Sequence, residues 1–160
     1  MVRGGMSVTG LEDLYQQLIL DHYRNRRGRG RIEGASASVH ENNPVCGDEI
    51  TLDILVEDGR IADIRADGEG CSISQAAASM LTEAARGRDL EDALNLVEHF
   101  RLVMHGEAQP DEDILGDAVA LEGVARYPVR VKCALLSWLA LRECIAEYHE
   151  KTTAGGPHGE

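Results

Sequence analysis

At 160 residues, 43% hydrophobic and 28% charged, the chain is long enough for one domain whose core hides about 70% of its unfolded surface. A net charge of −12 and only six aromatic residues leave neither a cationic face nor a stacking platform, so no nucleic-acid partner is expected. No run reaches the roughly 18 apolar residues of a membrane span and no basic-then-apolar leader opens the chain. The reading is therefore no membrane partner and a cytoplasmic address, where four cysteines stay unpaired.

Residues 1–8 carry no apolar period and are expected to be a disordered N-terminus. A single domain over 9–150 follows. Its first helix opens on the capping box Thr9 and Glu12, and Leu11, Leu14, Tyr15, Leu18 and His22 mark one face. The helix runs out in Arg24, Arg26, Arg27, Arg29 and Arg31, which is either a solvated helix end or a docking surface for an acidic partner. Ala37 to His40 is a weak strand signal. Ile50, Leu52, Ile54 and Val56 alternate as in a half-buried strand, and Asp58-Gly59 is a two-residue hairpin turn leading back through Ile61 to Ala66. Continuing that register places Asp48 opposite Glu69 and Cys46 opposite Cys71.

Beyond Cys71 the pattern turns helical. Ser72 and Gln75 form a second capping box, Ile73, Ala76, Ala77, Met80, Leu81 and Ala84 share a face, and Gly87 ends the helix. Asp89 caps a helix with Leu90, Ala93, Leu94, Val97, Phe100 and Met104 inward. An acidic, glycine-containing loop spans 105–117, then a short helical piece lies around Ala118–Val124. Pro128 introduces the last helix, roughly 130–149, with Ala134, Leu135, Trp138, Leu141, Ile145 and Tyr148 as its stripe. Residues 151–160 are expected to be a disordered tail. Strands early and helices late predict an α+β fold, a three-stranded antiparallel sheet with helices packed on it.

The cysteines carry the chemistry. Cys46, Cys71 and Cys133 stand in polar settings, beside Gly47 and Asp48, Gly70 and Ser72, and Lys132, whereas an inert core thiol has apolar neighbours. The hairpin brings Cys46 and Cys71 to one end of the sheet. Cys71 precedes a helix and Cys133 is read in the first turn of another, where the helix dipole with Arg130 and Lys132 favours a thiolate. Three thiolates and the Asp48 carboxylate make a four-coordinate zinc set. Cys144 is eleven residues past Cys133, about 16 Å along the helix, and is read as packing. His40 is read as strand, His22 as either site contact or filler, and His99 and His105 are open. His40-Glu41 with no Pro-Cys-x-x-Cys disfavours a zinc deaminase.

Four segments in order complete the picture: Leu14-Tyr15 through Asp21-His22-Tyr23-Arg24, Asn43-Pro44-Val45-Cys46-Gly47-Asp48, Gly68-Glu69-Gly70-Cys71-Ser72-Ile73-Ser74, and Arg130-Val131-Lys132-Cys133-Ala134-Leu135-Leu136. Through them the chain, over about residues 10–149, resembles the SufU-type branch of the IscU/NifU-like iron–sulfur cluster assembly proteins. Scaffold members usually place histidine before the third cysteine where this chain has Lys132, and the stretch between Cys71 and Cys133 looks longer than in scaffolds. The resemblance implies an IscU-like fold and a zinc-dependent sulfurtransferase with Cys46, Asp48, Cys71 and Cys133 as metal ligands. It further implies a SufS-type pyridoxal-phosphate cysteine desulfurase as partner, downstream iron–sulfur scaffold proteins as recipients, and Cys46, in its Pro–Gly loop, as the persulfide acceptor. A scaffold for a nascent [2Fe–2S] cluster and a non-catalytic zinc-stabilised interaction module are the alternatives.

Overall fold

The computed structural model describes the backbone of residues 3–159 and the side chains of residues 10–153. Strands β1 (Ala37–Asn43), β2 (Asp48–Glu57) and β3 (Arg60–Glu69) form one antiparallel sheet in the order β1-β2-β3. Helices α1 (Arg3–Arg24), α2 (Ser72–Ala85), α3 (Leu90–Met104), α4 (Glu112–Leu115) and α5 (Pro128–Gly159) surround it, with a 3-10 segment at Gly116–Arg126. The expected α+β arrangement is what the chain adopts. Because strand side chains alternate, Ile50, Leu52 and Ile54 of β2 point with Ile64 and Ala66 of β3 into the core. There they meet α2 and α5. Trp138 of α5 stacks on Phe100 of α3 with ring centroids 3.9 Å apart, and its indole N–H donates to the Ala77 carbonyl at 3.0 Å. Aromatic burial with the polar handle satisfied is how a chain with one tryptophan centres its core.

The hairpin turn is as expected, with Asp58 and Gly59 at φ 54° and 72°. The register beyond it is not. A bulge between Leu55 and Val56 slips the pairing by one, so Glu49, not Asp48, lies opposite Glu69, and the projected pairing of Cys46 with Cys71 is lost. Helix α2 is capped by Cys71 itself, whose sulfur accepts the Ser74 N–H at 3.5 Å, in place of the expected Ser72 box. Asp89 does cap α3. The expected loop 105–117 contains the turn of α4.

The end helices are longer than their sequence signals. α1 starts at Arg3, so Thr9 and Glu12 fall inside it and not at its start, and α5 continues to Gly159 through the expected tail. Once a helix is nucleated on a packed segment, each added residue gains a hydrogen bond, so polar residues without an apolar period can extend it. Met1, Val2 and Glu160 lie outside the described residues, and so does the Thr9 side chain. On α1 the packed stripe is Tyr15, Leu18, Ile19 and His22, while Leu11 and Leu14 are exposed. The helix packs mainly on α2 and the 3-10 segment, which narrows the face it buries.

Three arginines of the run serve partners within the domain, while Arg24 and Arg29 are exposed. Arg26 donates to the Gln75 side chain and, at 2.9 Å, to the Ala66 carbonyl, while Arg27 pairs with Asp21 at 2.8 Å. Arg31 reaches the buried Asp53 at 2.8 Å. Asp53 also accepts from Ser38 Oγ at 2.6 Å and Ile32 N–H at 2.8 Å. Burial alone would raise its pKa, but the hydrogen bonds from Arg31, Ser38 and Ile32 outweigh it and hold the carboxyl below the ordinary carboxylate range. A depressed folded-state value stabilises the fold above the unfolded pKa of about 3.9 and loses that contribution as pH falls through the folded value. Asp53→Asn is therefore expected to lower stability at neutral pH by about 1.5–3 kcal/mol and to flatten the loss seen below about pH 4. Urea unfolding between pH 7 and pH 3 measures both; an unchanged acid limb would refute the assignment.

Candidate metal centre

The site sits where the β1–β2 loop, the end of β3 and the start of α5 meet. Asn43 organises the loop: its carbonyl accepts the N–H groups of Cys46 at 3.1 Å and Gly47 at 2.9 Å, and its side-chain oxygen accepts Val45 N–H at 3.1 Å. Gly47 takes φ 72°, a left-handed turn that a side chain would strain. The Asn43 amide then donates to Cys46 Sγ at 3.5 Å. Asn43 is thus a site residue that the sequence reading quoted within a motif but gave no role. Its signal was an Asx residue three positions before a cysteine, in a Pro–Gly turn.

Asp48 opens β2 and is only 2% exposed. Its Oδ1 accepts Cys71 N–H at 2.8 Å and its Oδ2 lies 3.8 Å from Cys71 Sγ. Gly70 makes this possible. A Cβ there would fall 2.9 Å from Asp48 Cγ and closer still to Asp48 Oδ1 and Ser74 Oγ. Cys133 is buried, its sulfur 3.7 Å from the Val129 carbonyl, to which Cys46 Sγ also points at 3.8 Å. Ligand atoms of Cys46, Asp48 and Cys133 all lie within 4.8 Å of one another. Cys71 adjoins this trio through Asp48. The structure thus groups Cys46, Asp48 and Cys133, with Cys71 beside Asp48, by packing and not by the projected hairpin pairing.

Two features of the set call for a cation. Among the described residues, no basic side chain makes an ion pair with the buried Asp48 carboxylate. A buried, uncompensated carboxylate costs several kcal/mol. Burial first, and then the neighbouring Cys46, Asp48 and Cys71 groups, push the Cys133 thiol far above its ordinary value. The crowding of anionic donors that raises it is what a bound cation relieves. Three sulfurs and one carboxylate are donors that fit zinc.

Part of the expected thiolate argument changes. α5 begins at Pro128, so Cys133 lies in its second turn, beyond the unpaired N–H groups of the first. Arg130 and Lys132 are exposed. Only Cys71 receives a helix N-terminal N–H. Cys46, half-buried, follows the exposed Val45 (73%), and its sulfur points to the carbonyl of the exposed Val129 (59%).

The remaining candidates lie elsewhere. Cys144 is fully buried and 3.2 Å from the Leu52 carbonyl, and burial pushes its thiol up to about 12. Cys144→Ala is expected to leave metal content unchanged; loss of the metal in that variant would place Cys144 in the site. His40 lies in β1, its Nδ1 2.9 Å from Thr51 Oγ1, and His99 accepts the Asp111 N–H at 3.0 Å. His105 is the C-terminal cap of α3. His22 is fully buried between Ser79 and Asp117.

Residues 14–134 match the model of the NifU-like N terminal domain family. The chain is 45% identical over 137 residues to a zinc-dependent sulfurtransferase SufU of Bacillus subtilis, covering 86% of this chain and 92% of that protein. It is 40% identical over 140 residues to an iron–sulfur cluster assembly scaffold protein IscU of Streptococcus pyogenes, covering 88% and 87%. Among solved structures it is similar to a putative iron–sulfur cluster assembly scaffold protein for the SUF system from Fervidobacterium islandicum. That match has TM-score 0.76 and 34% identity, over 80% of this chain and 93% of the other.

Proposed function

The chain belongs to the NifU-like N-terminal domain family of iron–sulfur cluster assembly proteins, and on that premise we propose that it is a zinc-dependent sulfurtransferase accepting persulfide sulfur from a pyridoxal-phosphate cysteine desulfurase of the SufS type. The observation that carries the reading is the contrast between Cys46 and the other thiols of the cluster. Cys46 is half-buried on a loop turn, its sulfur held by the Asn43 amide and the Val129 carbonyl, whereas Cys133 is buried and Cys71, also half-buried, serves as a helix cap. The first can move and be reached; the other two are parts of the framework.

Cys46, Asp48, Cys71 and Cys133 would hold the zinc, which when bound would keep these thiols deprotonated at neutral pH. Asp48, a hard oxygen donor among sulfurs, is the weaker ligand of the four. The transfer itself belongs to the sulfurs. Cys46 thiolate attacks the outer sulfur of the partner's cysteine persulfide. A new S–S bond forms on Cys46, the partner's S–S bond breaks, and its cysteine leaves as thiolate with the persulfide proton carried over. No net oxidation occurs. The Asn43 amide, donating to Cys46 Sγ, stabilises negative charge on that sulfur. The exposed Val45 and Val129 give a docking partner apolar surface beside it. Sulfur would then pass to downstream iron–sulfur scaffold proteins.

The test is desulfurase turnover with and without zinc-loaded protein, followed by intact-mass and peptide analysis. Turnover should rise with the protein present and one added sulfur should map to Cys46. The similarity to proteins named as scaffolds supports a second reading, assembly of a nascent [2Fe–2S] cluster on the same donors. Stable visible absorption after anaerobic reconstitution, with no stimulation of the desulfurase, would decide for it. Among the described residues no helix is long and apolar enough to cross a membrane.

A further inference from the structure

A second group of ligand-type side chains lies where α1, α2 and the 3-10 segment meet. His22, near the end of α1, is fully buried and points Nε2 at Asp117 Oδ2, 2.9 Å away, and at Glu83 Oε1, 3.7 Å away. These three atoms lie within 4.8 Å of one another. The carboxylates are 43% and 44% exposed in their side chains, so the imidazole forms a dry floor and the mouth is open to solvent. A cleft lined by Met80, Glu83, Arg86, Leu115, Gly116 and Asp117 adjoins the two carboxylates. Glu83 is twelve residues along α2 from Cys71, about 18 Å at helical rise, so the group is independent of the sulfur cluster.

We propose that His22, Glu83 and Asp117 form a second metal site, which takes a divalent first-row cation such as manganese, iron(II) or zinc. An imidazole nitrogen with two carboxylates and open positions suits these ions, whereas calcium requires six to eight oxygens. An independent feature prepares the histidine. Its other nitrogen, Nδ1, is 2.7 Å from Ser79 Oγ, an outer partner of the kind that fixes the tautomer of a ligating histidine. With a cation on Nε2 the ring proton must sit on Nδ1 and be donated to Ser79. Ser79 Oγ already accepts the Arg27 N–H at 2.9 Å, and its two lone pairs accommodate both donors. Without a cation, the proton returns to Nε2 and is donated to Asp117, while the Ser79 hydroxyl donates to Nδ1. In both states His22 Nδ1 and Ser79 Oγ keep each other as partners.

Glu83 keeps its second oxygen 3.5 Å from Arg27 Nε, which leaves Oε1 free for the ion. Occupancy would tie three elements that otherwise meet through few polar contacts. Two of them frame the sulfur cluster: Cys71 caps α2, and the 3-10 segment leads through Tyr127 into the helix bearing Cys133. The cation is thus a clamp on that frame, stabilising it by mass action.

The experiment is a manganese(II) titration of the full chain, its sulfur site first loaded with zinc, followed by electron paramagnetic resonance. One tight equivalent is expected, with nitrogen modulation from a bound imidazole in the pulsed spectrum and a manganese-dependent rise in the melting temperature. Glu83→Gln with Asp117→Asn should weaken binding at least about tenfold and abolish the melting shift. Glu91→Gln with Glu150→Gln, which removes the same charge at exposed positions, should change neither. Wild-type protein that takes up manganese without nitrogen modulation, or equal weakening by both double variants, would overturn the site. The spectroscopic readout on the wild type holds even if the first double variant folds poorly.

Discussion

Cys46→Ser is expected to abolish sulfur acceptance while leaving the domain folded and metal-bound. The serine oxygen keeps a donor at the position, so ligation is separated from nucleophilic attack. The remaining thiols cannot substitute: Cys133 is buried and Cys71 is engaged as the cap of α2. Removing the attacking atom of a covalent mechanism typically costs several orders of magnitude, and a loss of about 100-fold or more in persulfide formation is the expected size. Peptide mass analysis after incubation with desulfurase and cysteine measures it. Added sulfur found at wild-type level on Cys71 or Cys133 in the variant would move the acceptor role to that residue.

Gly70→Ala is expected to cost about 10- to 100-fold in zinc affinity, although Gly70 donates nothing to the metal. The backbone there is not in the left-handed region, so alanine brings no conformational strain, only a methyl group. That methyl would meet Asp48 Cγ at 2.9 Å, and Oδ1 at a still shorter separation, at the side of the carboxylate that accepts Cys71 N–H. Asp48 must swing or β3 must shift, and either separates the carboxylate from Cys46 and Cys133. Competition with a chromophoric chelator gives the affinity. Retention of wild-type zinc binding by Gly70→Ala would show that Asp48 is not positioned by this contact.

Much of the fold was legible because its determinants are local. Alternation at Ile50, Leu52 and Ile54, the Asp58-Gly59 turn, the Asp89 cap and the stripe through Trp138 each reflect a conformational preference or periodicity within a dozen residues. Boundaries were less legible. Polar residues at the two ends carry no apolar period, so the bounds of α1 (Arg3–Arg24) and α5 (Pro128–Gly159) have no sequence signal. The arginines after Arg24 offered a choice between solvent and partner, and three of them instead serve internal acceptors, Ala66, Asp21 and Asp53. The Arg26 and Arg31 pairings join residues 40 and 22 positions apart, and no local pattern announces them.

The site divides in the same way. Residue type alone determined that Cys46, Asp48, Cys71 and Cys133 are the candidates for metal chemistry, because thiols beside glycine, aspartate and helix-capping residues are not typical core filling, and that Cys144 is packing. Only the tertiary structure decided how they meet. One bulged residue near Leu55 shifts the hairpin register and removes the direct opposition of Cys46 and Cys71, and α5 delivers Cys133 from across the domain. It also decided that His22 belongs to a separate cluster with Glu83 and Asp117. Chemical character is carried by each side chain and can be read one residue at a time; distances between side chains depend on the sum of every bulge, cap and packing contact between them.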